Sequence, residues 1–177
     1  MKKIYFLTLL IFGALATQAQ NESIKWVSIN ELESLQQKEP RKVLIDVYTK
    51  WCGPCKMMMA QTFTDKSVIK LVNEKFYAVK FNAEGNEVIK FKGYDFSNKK
   101  YVAEKPGRNG THEFTSAIAP VNGRIAYPTI VYMDENLNII SPVQGFMRPL
   151  QILPLLGYIS EGAYTSQPYE KYLEAKK

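Results

Sequence analysis

The stretch that decides the fold is KWCGPCK, residues 50–56, which holds Cys52 and Cys55, the two cysteines of the 177-residue chain. Structural disulfide frameworks usually consist of several pairs that bridge distant segments, whereas these two cysteines would close only a small local ring. A tetrahedral zinc site needs four ligands, and the chain offers one histidine, His112, and no second cysteine pair. The pair is therefore predicted to be redox-active, and neither a metal nor another cofactor is expected.

The segments around the pair predict a strand before it and helical structure after it. Residues 43–48 (VLIDVY) are mostly β-branched or apolar, as in a buried central strand, and Asp46 is the acid among them. Residues 56–76 have the apolar spacing of a helix that stops and resumes. A helix over 29–38, with Ser28 and Glu31 in capping-box spacing, and a second strand over 77–85 complete the pattern. A strand, helix, strand order implies a right-handed parallel crossover.

The rest of the chain predicts an insert, two more strands and a closing helix. Residues 86–108 alternate aromatic and basic side chains around Ser97–Asn98, as a surface hairpin would. Four further features follow along the chain: a short helix from Thr111, two strands joined at Glu135–Asn136, a helix from Arg148–Pro149 that Pro154 should kink or shorten, and a polar tail over residues 161–177.

The N-terminal segment predicts export. Residues 1–19 begin with a basic pair, continue through an apolar run from Ile4 to Ala16, and end in small residues that suit cleavage after Ala19. A retained membrane anchor is the alternative. Residues 20–177 have the length of one domain, and no later stretch is long and apolar enough to cross a bilayer. The mature protein is expected to be periplasmic or secreted, without stable membrane insertion.

The chain is basic, with a formal net charge of +6 that falls to +4 when Lys2 and Lys3 are removed with the signal segment, which contains no acid. Several lysines between residues 80 and 105 lie among aromatic residues, a composition that also occurs in nucleic-acid-binding proteins. In an exported protein a solvated basic face explains these lysines, so no nucleic-acid partner is predicted.

Over residues 26–160 the chain resembles the thioredoxin superfamily. The matching motifs are Asp46 six residues before Cys52, WCGPCK between a strand and a helix, YPT at residues 127–129, and Gly145 at the end of the last strand. TFTD at residues 62–65 and GFM at residues 145–147, before the last helix, make it most similar to the thioredoxin-like domains of bacterial thiol:disulfide interchange proteins. The resemblance implies an α/β three-layer sandwich with a mixed central sheet flanked by helices. The hairpin-like insert before the cis-proline strand departs from the family pattern, as do Pro154 and Tyr48.

The position of the cysteines at a helix start predicts their roles. Unpaired amide N–H groups and the positive end of the helix dipole favour the thiolate form of Cys52, which makes it the expected nucleophile. Gly53 lets another backbone approach closely, and Pro54 is tolerated in the first helical turn. Three-residue spacing places Cys55 beside Cys52 and one turn deeper, where it can resolve a mixed disulfide.

Other site residues follow from the resemblance or from their surroundings. A carboxylate in an apolar run should have a raised pKa, so Asp46 could carry the proton of Cys55, unless it reaches solvent at the strand end. The resemblance implies a cis bond between Tyr127 and Pro128, with the backbone of Tyr127 free to pair with an extended substrate. Without the resemblance, an ordinary trans proline would be expected. Trp51 offers an apolar shoulder for substrate, with core packing as the alternative.

These observations favour an exported thiol:disulfide oxidoreductase that reduces disulfides in protein substrates, with a membrane protein as the expected electron donor. The Gly-Pro dipeptide between the cysteines resembles the reducing end of the known range of potentials. A disulfide oxidase or isomerase is an alternative. A binding module that holds a partner on the same scaffold with little turnover is another.

Overall fold

A five-stranded mixed sheet forms the centre of the computed structural model, which describes residues 23–105 and 107–176. The strands of this sheet are, in chain order, Trp26–Val27 (β1), Lys42–Tyr48 (β2), Phe76–Asn82 (β3), Thr129–Met133 (β6) and Ile139–Gln144 (β7). Their spatial order is β1-β3-β2-β6-β7, with β2 parallel to β3 and antiparallel to β6. The predicted α/β sandwich with a mixed sheet is confirmed.

Helices cover the two faces of the sheet. They are Leu32–Lys38 (α1), Gly53–Gln61 (α2), Lys66–Lys75 (α3), Glu113–Ile118 (α4), Pro149–Ser160 (α5) and Tyr169–Ala175 (α6). A short 3-10 turn with a capping box between Ser28 and Glu31 precedes α1. The Asp65 side chain accepts hydrogen bonds from the amides of Ser67 and Val68, and this cap starts α3 as a separate helix after the break predicted there.

The central strand β2 is buried on both faces, which explains its nearly continuous apolar sequence. Val43, Ile45 and Val47 belong to the hydrophobic cluster on one side of the sheet. Leu44 belongs to the cluster on the other side, together with residues of α3 and α5. Because β2 is enclosed in this way, the segment that follows it leads directly from the core to the start of α2.

The insert contains a hairpin, but its turn is not where the sequence predicted it. Strands Ile89–Phe91 (β4) and Tyr94–Phe96 (β5) are joined at Lys92 and Gly93, whose φ angles are 50° and 78°. Positive φ at both positions is typical of the two-residue turns that match strand twist. The predicted turn at Ser97–Asn98 is therefore wrong, and these residues begin the loop that leads to α4.

The C-terminal segments also depart from the sequence interpretation. Helix α5 runs for 12 residues through Pro154 and is not shortened by it. Residues 161–177, interpreted as a polar tail, include helix α6, whose Tyr172 is only 5% exposed and packs in the hydrophobic core with Tyr158. This segment therefore contributes to the folded core.

The predicted signal peptide, residues 1–19, lies outside the described residues and stays a prediction. In residues 23–105 and 107–176, no helix combines the length and the apolar character that crossing a membrane requires.

Candidate active site

The two cysteines form a disulfide at the first turn of α2, immediately after the end of the central strand. Their Cα atoms are 5.3 Å apart, and Cys52 is the N-cap residue of the helix. The backbone N–H of Cys55 donates to Cys52 Sγ at 3.1 Å. One N–H group of the helix start, that of Cys55, therefore faces this sulfur.

Both cysteines are nearly buried, with 2% of Cys52 and 3% of Cys55 exposed, but they line different openings. Cys52 lies in the wall of a groove of about 620 Å³. Cys55 lines a separate and more apolar cavity of about 350 Å³, together with Thr49 and Lys80. The disulfide thus separates a broad opening next to Cys52 from a smaller one next to Cys55.

The groove next to Cys52 brings together most of the residues that the sequence proposed for substrate binding. Those that line it are Trp51, Gly53, Pro54 and Tyr127. A Cβ atom built on Gly53 would meet no other atom of the chain within 4 Å. The groove wall therefore has space for a side chain at position 53.

Trp51 lies at the groove and not in the core, with 36% of its surface exposed. Its indole Nε1 donates to Glu84 Oε2 at 2.9 Å. The ring of Tyr127 meets the indole edge-on at 5.9 Å, and the guanidinium of Arg108 lies 4.4 Å from the indole centroid. These three neighbours hold the indole ring of Trp51 in a defined position beside the disulfide.

The peptide bond between Tyr127 and Pro128 is cis, as the resemblance implied. Tyr127 lines the groove, whereas Pro128 is buried next to it at the start of β6. The carbonyl of Pro128 accepts a hydrogen bond from the amide of Gly145 at 2.8 Å. Gly145 has a φ angle of 106°, which a residue with a side chain rarely adopts, and this accounts for glycine at that position.

Asp46 lies inside the sheet with 1% of its surface exposed, and neither carboxylate oxygen has a hydrogen-bond partner among the described residues. Burial raises the pKa of Asp46 from 3.8 to about 7, and the nearby charge of Lys80 opposes this rise. Lys80 is the register partner of Asp46 on β3, and its ammonium lies 4.9 Å from the ring centroid of Tyr48. The acid therefore does not reach solvent at the strand end.

Sequence reasoning missed Glu84 and Arg108, which both line the groove. Neither residue belongs to a local motif, and each meets Trp51 only because the chain folds back on itself. His112, the one histidine, is fully buried. Its Nδ1 accepts the amide N–H of Phe114 and caps α4, while Nε2 lies 2.8 Å from the carbonyl oxygen of Glu87, so its role is structural.

A cysteine pair closed into a disulfide at the start of the helix after the central strand, in a sheet of this topology, defines a thiol:disulfide oxidoreductase. Comparison with known families agrees with this class. A family model described as a thioredoxin-like domain matches residues 30–160, and the chain belongs to this family.

One curated protein, found in two strains, matches part of the chain. The chain is 30% identical over 89 residues to the thiol:disulfide interchange protein DsbD of two strains of Campylobacter jejuni, and the match covers 48% of this chain and 15% of each relative. The chain therefore spans a small part of the length of the curated relatives that it matches.

Solved structures share the fold at low sequence identity. A thioredoxin-fold protein from Helicobacter pylori superposes with a TM-score of 0.56 at 19% identity, covering 77% of this chain and 80% of the other. A thioredoxin from Thermus thermophilus gives a TM-score of 0.57 at 15% identity, with coverage of 82% and 94%. The predicted resemblance to the thioredoxin superfamily is confirmed.

Proposed function

We propose that this protein reduces disulfides in other proteins, with Cys52 as the nucleophile and Cys55 as the resolving cysteine. The observation that carries the proposal is the placement of Cys52 at the start of α2 and in the wall of the larger groove. A thiolate at a helix start is stabilised by the helix dipole, and the groove is the route by which a protein disulfide can approach Cys52 in its wall.

Reduction proceeds by two exchange steps. The Cys52 thiolate attacks one sulfur of the substrate disulfide, a bond forms between the two sulfurs, and the other substrate sulfur leaves as a thiolate. Cys55 then loses its proton and attacks Cys52 Sγ, so that the mixed disulfide breaks and the second substrate sulfur leaves. The substrate gains two electrons, and the protein ends with the Cys52–Cys55 disulfide.

Asp46 is the proposed acceptor of the Cys55 proton. Its pKa of about 7 is close to neutral pH, where a general base is most effective. The charge of Lys80 acts on Asp46, and Lys80 and Cys55 line the same cavity, so proton exchange on this side avoids the substrate groove.

The groove walls have the proposed task of orienting the substrate. Trp51, Gly53, Pro54 and Tyr127 line the groove together with Cys52. The backbone of Tyr127, at the cis bond to Pro128, is proposed to pair with an extended substrate segment. This arrangement would hold the substrate disulfide against Cys52.

The direction of electron flow and the cellular location of the protein are also proposals. The match to part of a thiol:disulfide interchange protein supports thiol–disulfide exchange. A membrane protein is the proposed electron donor. The predicted signal segment supports a periplasmic or secreted protein. The Gly-Pro dipeptide between the cysteines supports a reduction potential near that of thioredoxin, about −270 mV, and far from the value of about −120 mV that a strong oxidant of the same superfamily has.

Insulin reduction tests this function. The wild-type protein should accelerate reduction, and the Cys52→Ser variant should not, while Cys55→Ser should accumulate a mixed disulfide because nothing resolves it. Equal activity of wild type and Cys52→Ser would refute the enzyme and favour the binding module. A glutathione equilibrium titration that gives a strongly oxidising potential would refute the direction and favour an oxidase or isomerase.

A further inference from the structure

The loop between β5 and α4 reaches the substrate groove. Asn98, near its start, donates from Nδ2 to the carbonyl oxygens of Gly85 and Gly110 at 3.0 and 2.6 Å. The amide of Ser97 donates to Glu113 at 2.9 Å. These bonds fix both ends of the loop. Arg108, Asn109 and Thr111 of this loop line the groove, so the loop supplies part of the wall beside Cys52.

Glu84 joins the insert to the cysteine motif. One carboxylate oxygen, Oε2, accepts the indole N–H of Trp51 and the backbone N–H of Asn109, both at 2.9 Å. These two donors stand 58 residues apart in the sequence, so a single acid holds two distant segments together. The negative charge of Glu84 is therefore stabilised by groups of the protein itself.

Arg108 is the groove residue whose charge lacks such a partner. Its guanidinium stacks on Trp51 with 4.4 Å between the charge centre and the ring centroid. Within the described part of the chain, no carboxylate oxygen lies within 4.0 Å of it. The side chain is exposed, and the positive end of α2 opens on the same groove. The wall above Cys52 thus presents a positive charge in a fixed position.

We propose that Arg108 makes the groove selective for protein disulfides in which an acidic residue neighbours the attacked cysteine. The inference rests on the proposed function, because it concerns the substrate of that same site. A guanidinium has a planar set of N–H donors that matches a carboxylate, and stacking on an aromatic ring reduces the freedom that it loses on binding. A carboxylate in the groove would give Arg108 the partner that it lacks within the chain.

Two synthetic peptides test the proposal. Each contains one disulfide, and they differ only in having Asp or Asn after the first cysteine. Prereduced wild-type protein should reduce the Asp peptide about two- to fivefold faster than the Asn peptide, the range expected for an exposed ion pair. The rates are second-order constants from acid-quenched samples analysed by mass spectrometry. The preference should decrease as salt is raised.

Arg108→Gln should bring the ratio of the two rates towards one, and Arg108→Lys should retain part of the preference. Lys105→Gln is the matched control, because it removes a positive charge from the same loop at a residue outside the groove lining. This control should keep the wild-type ratio. Thermal unfolding of each variant verifies that the fold is intact.

Equal rates for the two peptides with wild type would overturn the proposal, as would an unchanged preference in Arg108→Gln or an equal loss in Lys105→Gln. If the wild type reduces neither peptide, the proposed function fails instead. Binding of labelled peptides with serine in place of cysteine, measured by fluorescence anisotropy, then still decides whether Arg108 selects the acidic one.

Discussion

The buried carboxylate of Asp46 should make the stability of the oxidised protein depend strongly on pH. Burial raises its pKa from 3.8 to about 7, so the folded state binds a proton more tightly than the unfolded chain. Stability is greatest below the unfolded pKa and is lost as pH rises from about 4 to about 7. Each pKa unit corresponds to about 1.4 kcal/mol, so the loss from this group approaches about 4 kcal/mol at pH 8.

The Asp46→Asn variant removes this contribution, because an amide does not titrate. Guanidinium unfolding of the oxidised proteins between pH 4 and pH 8 should show a decrease in the free energy of unfolding that is about 4 kcal/mol larger for wild type than for the variant. Asp95→Asn is the control, since Asp95 is exposed on β5, and it should retain the wild-type pH dependence. Parallel pH profiles for wild type and Asp46→Asn would refute the raised pKa.

Further substitutions test structural roles, at His112, Gly110 and Gly53 by guanidinium unfolding and at Gly157 by limited proteolysis. His112→Ala should lower the free energy of unfolding by about 2–4 kcal/mol, because it removes a helix cap and a buried ring. The alkylation rate of Cys52 in the reduced protein should stay unchanged. His112→Asn should recover part of the lost stability. Gly110→Ala would place Cβ 2.4 Å from Lys100 Cβ and should lower the free energy of unfolding by about 1–3 kcal/mol. Gly53→Ala should lower it less, because a Cβ at that position meets no other atom within 4 Å. Gly157→Ala would place Cβ 2.8 Å from the Tyr172 hydroxyl and should expose α6 to limited proteolysis; unchanged protection would contradict that contact.

The parts of the fold that could be predicted from sequence are those with a local signal. The apolar run of β2, the capping box before α1 and the cysteine pair before α2 each determine structure within a few residues, and all three predictions agree with the structure. The raised pKa of Asp46 was predictable for the same reason, because an acid within a fully buried strand cannot reach water.

The features that were missed depend on contacts between distant segments or on an unusual turn sequence. Lys92–Gly93 forms the hairpin turn, although lysine is uncommon at positive φ. The turn was predicted at Ser97–Asn98 because serine and asparagine are common in turns. The bonds from Glu84 to Trp51 and Asn109 join residues 33 and 25 positions away. No periodicity within one element can predict such a contact.

The position of Tyr172 in the core affects where the boundary of this domain should be drawn. The family match ends at residue 160, yet the helix that carries this buried ring begins at Tyr169. A protein shortened to the matched segment would uncover part of α5 and leave apolar surface open to self-association. Expression of this domain should therefore retain the residues that follow the end of the family match, and affinity tags at that end should be joined through a flexible spacer.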